Sequence, residues 1–117
     1  MGAKPFYRLI LAASAEDAFR KTRRAEHKEY HDQICNFGGL SSKESFVIKA
    51  PPQGVALETW TKALFKGRLP ATLGQHSEEF ARHLSIYADK IGPALCFAAS
   101  GTEAAFVEFV FVGCAEQ

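Results

Sequence analysis

Two kinds of side chain in this sequence are placed to do chemistry: a row of bases and histidines, and a few isolated carboxylates. Arg20, Arg24, His27 and His31 recur at intervals of three and four. At 100° per residue they fall in one narrow arc of a helix, flanked by Arg23, Lys28 and Cys35. Such a stripe offers a phosphate, an anionic ligand or an acidic protein face almost three turns of positive charge. Within it, His27, His31 and Cys35 have the i, i+4, i+8 spacing of metal ligands. The residue after His27 is Lys28 rather than a glutamate, and the neighbouring arginines repel a cation. No metal and no cofactor is therefore expected. Cys35 falls near the helix C-terminus, where the dipole opposes a thiolate, and reads as a partly buried small residue.

The carboxylates point elsewhere. Glu26 and Glu29, with Tyr30, lie on or beside the opposite face of the same helix, where Ala15, Ala18, Thr22 and Ala25 permit close approach to a sheet. An acid beside a core-facing stripe needs a partner or a raised pKa, and small residues plus an acid describe a helix–sheet pocket. Glu108 sits inside Phe106-Val107-Glu108-Phe109-Val110-Phe111-Val112. Alternation puts it with Phe106, Val110 and Val112, leaving Val107, Phe109 and Phe111 on the other face. Arg8 is the analogous lone charge between Phe6 and Ile10, and would pair with Glu108 if their strands are neighbours. Glu26, Glu29, Tyr30, Arg8 and Glu108 are thus the candidate residues of a pocket for a small anionic or amphipathic ligand. His83 lies four residues from both Glu79 and Tyr87, so local helix pairing accounts for it, and His76 precedes a helix cap. Phosphate-loop, nucleophile-elbow, dinucleotide and C-x-x-C patterns are absent, so no catalytic class is assigned.

The elements that must position these residues follow from pattern. Phe6–Ala13 is a β-rich run after Pro5. Ser14 caps a helix, with Asp17 three residues on, running to about Asn36 before Phe37-Gly38-Gly39. Ser45–Ala50 is a second strand, ended by Pro51-Pro52. Val55–Leu64 fits a helix with Leu57, Trp60 and Leu64 on one face and Glu58 paired to Lys62; the alternative is a strand after a PPQG turn. Ser77 caps a helix to about Ile91, with an apolar stripe of Phe80, Leu84, Tyr87 and Ile91. Ala94–Ala99 and Ala104–Cys114 form a hairpin around Ser100-Gly101-Thr102-Glu103, and a turn centred on Gly101-Thr102 sets Cys96 opposite Val107, away from Cys114. The order β-α-β-α-α-β-β describes an α+β fold, a mixed or antiparallel four-stranded sheet with three helices packed on one face.

The totals bound the rest. The 117 residues make one domain, 1–117, with no linker. Fourteen bases face thirteen acids, a balance that argues against a nucleic-acid surface. Seven of those bases fall in residues 1–30, whereas no base follows Ile91. Three widely spaced cysteines and no signal peptide fit reduced thiols in a cytoplasm. No run approaches the ~20 apolar residues of a membrane span. With helices on one face only, a last strand apolar on both faces needs cover from another chain. Self-association through the C-terminal hairpin, around Phe106, Phe109 and Phe111, is the expected consequence. The function expected is a small homo-oligomeric protein with a ligand pocket between helix and sheet. The alternative is an inhibitor- or immunity-type interaction module using the basic helix face.

Overall fold

Ten residues of extended chain, Ala3–Ala12 (β1), pass through Ser14 into a 17-residue helix, Ala15–His31 (α1). The structure, a computed structural model, describes residues 3–31, 43–89, 91–98 and 107–116; the side chains of 3–4, 26–31 and 116 lie outside the description. The Ser14 side-chain oxygen accepts the Asp17 backbone N–H at 3.1 Å, as the capping pattern predicts. Then follow Phe46–Lys49 (β2), Leu57–Lys66 (α2), a 3₁₀ stretch at Ala71–His76, Ser77–Ala88 (α3), Ala94–Ala98 (β3) and Val107–Glu116 (β4). The fold is α+β, with three α-helices and a mixed four-stranded sheet among the described residues. The ambiguous stretch is helix rather than strand, over Leu57–Lys66: Trp60, Thr61, Ala63 and Leu64 are buried, and Lys62 meets Glu58 at 2.6 Å. Gly67, at φ 71°, ends α2 in the left-handed conformation that glycine adopts without steric cost.

The sheet order is β1-β4-β3-β2. β4 runs antiparallel to both β1 and β3, and β2 lies parallel to β3. The β1–α1–β2 connection therefore crosses the sheet from one edge to the other, and the α2–α3 connection returns by one strand. Crossovers are right-handed almost without exception, so two that travel in opposite directions put their helices on opposite faces. That is the observed packing, and it corrects the expectation of helices on one face. Ala15, Ala18 and Phe19 of α1 cluster with Phe6, Cys96, Phe109 and Phe111. Trp60 and Leu64 of α2 and Phe80 and Tyr87 of α3 cluster with Leu95, Phe97, Val110 and Val112. Both apolar faces of β4 are thus covered within the chain. Phe109 and Phe111 are buried beneath α1, so a subunit contact through those rings would require α1 to leave; Phe106 lies outside the described residues.

Three local expectations shift. The β3–β4 register pairs Cys96 with Phe111, not Val107, and the tip of that hairpin lies outside the described residues. The slip is even, so every side chain keeps its expected face. Cys96 sits under α1 and Cys114 on the α2–α3 side, both as free thiols. Ser77 is the first residue of α3 rather than its cap, because the 3₁₀ stretch feeds straight into the helix and leaves His76 in the cap position. Finally, α3 stops at Ala88, because the Asp89 carboxylate accepts the backbone N–H groups of Ile91 and Gly92, both at 3.0 Å. Ile91 falls off the apolar stripe and is 80% exposed.

Side chains lock the layers together. The Tyr7 hydroxyl meets the Thr61 hydroxyl at 3.0 Å, and Thr61 donates to the Leu57 carbonyl at 2.9 Å. The Tyr87 hydroxyl donates to the Phe65 carbonyl at 3.1 Å, tying α3 to α2. At the β1–β4 seam Phe6 lies opposite Gly113, and a Cβ on Gly113 would meet the Phe6 ring at 2.8 Å. Gly113→Ala should cost about 1–3 kcal/mol in urea unfolding, an overpacking penalty. Adding Phe6→Leu should recover part of the loss; strictly additive effects of the two changes would contradict this contact.

Candidate functional site

The buried polar groups mark where chemistry is available, and the most informative is His83. It is 5% exposed, on the inward stripe of α3 between Phe80 and Tyr87. Its ring lies edge-on to Trp60 and Phe97, with centroids at 5.7 and 5.5 Å. Its Nδ1 accepts the Trp60 indole N–H at 3.0 Å. A neutral imidazole that accepts at Nδ1 carries its proton on Nε2, so the indole fixes the tautomer. Burial pushes the His83 pKa below its ordinary value; the Glu79 carboxylate works against that, while Lys49 and Arg82 add to it. A hydrogen bond donated to the neutral ring acts in the same direction as burial.

His83 also lines an open groove of about 680 Å³ between the end of β2 and α3. Lys49, His76, Glu79 and Arg82 supply its other titratable groups, and Pro51, Pro52 and Gln53 form a wall. Alternation along β2 puts Lys49 on the α3 side, and the helical spacing of Glu79, Arg82 and His83 brings those three to one flank. Arg82 is shared with Glu78 at 3.4 Å, an exposed pair of little strength. The lining holds two fixed cations, two imidazoles and one carboxylate, a set suited to an anion.

The residues expected from sequence are distributed differently. Arg8 and Glu108 are on neighbouring strands, but Arg8 pairs with Phe111 and Glu108 with Leu11. Arg8 shares the α1 face with Phe6, and Glu108 lies on the α2 face with Val110, so the sheet separates them and the expected cross-strand pair does not form. Glu108 is exposed and lines a groove of about 390 Å³ with Tyr7, Leu9, Leu57 and the Glu58–Lys62 pair. Water reaches it, so an acid amid aromatic residues needs no buried partner here. The side chains of Glu26, His27, Glu29, Tyr30 and His31 lie outside the description, as does Cys35. Arg20 and Arg24 are exposed on α1, and Asp17 meets Arg20 at 3.3 Å and Lys21 at 3.0 Å. Those two cations hold the Asp17 carboxyl below its usual range. The basic face is thus partly neutralised in its first turns. Ala25, expected on the sheet-facing stripe with Ala15, Ala18 and Thr22, is exposed, whereas those three are buried. No group of three or more metal-binding side chains occurs among the described residues.

Lys43 is the second residue that pattern reading missed. It is 2% exposed, and its ammonium donates to the carbonyls of Asp89 at 2.8 Å and Gly92 at 3.0 Å. Burial lowers its pKa. No local pattern announces it, because its partners lie 46 and 49 residues away. His83 did carry a signal: it shares the apolar stripe of α3, and a histidine there is a core residue needing a partner.

No protein-family profile, no curated protein and no solved structure matches this chain. No helix among the described residues is long and apolar enough to cross a membrane.

The His83 environment has a thermodynamic signature. Its folded pKa lies below the unfolded value of about 6.5, so the unfolded chain binds more protons as pH falls through that value. Stability should be complete above about pH 6.5 and decline as acidity increases toward the folded pKa. His83→Asn, whose carboxamide oxygen can replace Nδ1 as acceptor, should flatten this slope between pH 7 and 5 in urea titrations. Trp60→Phe removes the donor, should cost about 1–3 kcal/mol, and should raise the His83 pKa read from imidazole NMR shifts. An unchanged slope in the asparagine variant would exclude His83 as its source.

Proposed function

We propose that this chain binds a small anion, carrying a phosphate or carboxylate group, in the groove between β2 and α3. The observation that carries the reading is the state of His83. With Nδ1 occupied by the Trp60 indole, Nε2–H is the ring's remaining donor, in a side chain that lines the groove. A donor held in one tautomer by a buried partner binds an acceptor without reorganising. Lys49 and Arg82 provide the fixed charge, and Arg82 adds a planar fork that matches carboxylate or phosphate oxygens. This keeps the small-ligand reading but moves the ligand from the α1–sheet interface to the opposite face of the sheet.

Binding and protonation are linked in this arrangement. An anion beside Lys49 and Arg82 cancels the field that disfavours the imidazolium, so occupancy raises the His83 pKa. By reciprocity, affinity increases as pH falls through the His83 titration range.

Trp60, the one tryptophan of the chain, is a built-in reporter because its indole is bonded to the imidazole. Inorganic phosphate and acetate, titrated at low ionic strength, should each be tested for a saturable change in its emission. Acetate, whose own charge is essentially constant above pH 6, should bind more tightly as pH is lowered from 8 toward 6, in the direction of the His83 titration. The double charge reversal Lys49→Glu, Arg82→Glu should weaken binding at least tenfold, with the urea midpoint changed little, since both side chains are exposed. Neither anion altering Trp60 emission or the His83 imidazole resonances would sink the reading.

A further inference from the structure

The other face of β2 borders a second groove, of about 890 Å³. Phe46 and Ile48 form its floor, and Ala15 and Phe19 of α1 form its wall. The Phe19 and Phe46 rings are in contact, with centroids at 4.9 Å, while Ile48 is 61% exposed. Glu16 and Glu44 are the charged side chains of the lining. The nearest bases of α1 are engaged elsewhere: Arg20 meets Asp17 at 3.3 Å, and Arg23 sits over the Phe19 ring at 5.4 Å.

The backbone beside this groove is what makes it specific. β2 is an outer strand, and among the described residues nothing pairs with its free edge. The Ala94 N–H donates to the Ser45 carbonyl at 3.0 Å, and the register sets Phe46 against Ala94. In a parallel ladder this directs the backbone groups of residues 45, 47 and 49 toward β3. The N–H and C=O of Phe46 and Ile48 therefore face outward. The edge offers two donor–acceptor pairs in extended geometry, next to an apolar channel with acidic rims.

We propose that the free edge of β2 accepts an extended basic segment of a partner protein as a fifth strand. Strand addition takes affinity from main-chain bonds and specificity from pockets for alternate side chains. Here the segment bonds to Phe46 and Ile48. Its apolar side chain on the α1 side fills the channel against Phe19, and a lysine or arginine at each end meets Glu16 or Glu44. This site is independent of the anion groove, which lies across the sheet on the α3 side.

The test uses a capped heptapeptide, Lys-Thr-Val-Ser-Phe-Thr-Lys, whose lysines and apolar residues share one face of an extended strand, titrated at low salt by fluorescence anisotropy. Saturable binding is expected, at least tenfold weaker when glutamate replaces both peptide lysines. Ile48→Pro deletes an outward N–H and leaves the bonds to β3 in place, so it should also weaken binding at least tenfold. N-methylation of the peptide makes the same deletion from the ligand side and serves if the proline variant does not fold. Absence of saturable binding overturns the proposal, as does equal binding of the N-methylated peptide. A doubled mass in light scattering, with amides 46 and 48 protected from exchange before peptide is added, would assign the edge to a second copy of the chain and likewise overturn it.

Discussion

The architecture depends on one constraint: β4 is apolar on both faces and sits between β1 and β3. A strand in that position exposes neither face without cost, at roughly 25 cal/mol for each Å² of apolar surface left in water. Phe109 and Phe111 must be covered on one side, and Val110 and Val112 on the other. The chain satisfies both demands by crossing its own sheet twice in opposite directions. Because both crossovers share one hand, α1 arrives on one face and α2 with α3 on the other. The apolarity from which the sequence pattern implies cover by a second subunit is met by topology within the chain.

That outcome separates what the pattern reveals from what it hides. Periodicity reports which side chains share a face, and it did so correctly along β4, α2 and the first turns of α1. It does not report which element covers that face. The β3–β4 register differs from the simple turn, yet by an even number, so the inside and outside assignments survive while the partners change. The α3 stripe ends early because Asp89 binds two backbone N–H groups, a local competition that hydrophobic spacing does not contain. Arg8 and Glu108 show the same limit from another side: both lie in adjacent strands, and only the odd–even relation of the register reveals that the sheet stands between them. His83 and Lys43 are polar residues whose identity makes sense only with partners distant in sequence.

The Trp60–His83 pair is where the core of the α2–α3 layer becomes polar enough for chemistry. An unpaired buried imidazole nitrogen would cost about 1–3 kcal/mol, comparable to an unpaired indole N–H. Each removes the other's penalty, so the pair is tolerated in a cluster that also holds Phe80 and Phe97. The consequence is directional. The bond orients the ring and assigns its proton, and the ring in turn borders the groove. A second buried histidine without the indole would have neither property.

β2 has only four residues, yet it contributes to both grooves, because alternation sends Phe46 and Ile48 to one face and Lys49 to the other. So short an edge strand, bonded on one side, is a weak foundation for two sites. Lys43 supplies the missing restraint. Its buried ammonium binds the carbonyls of Asp89 and Gly92, where α3 turns toward β3, and thereby fastens the chain just before β2 to the corner just before β3. A buried lysine carries a desolvation penalty, and two carbonyl acceptors offset part of it. An apolar residue would fill the same space and leave those carbonyls without their donor. The ammonium is therefore best understood as a clamp on the β2–β3 pairing. Both proposed binding surfaces inherit their geometry from that clamp, although neither contains the residue that forms it.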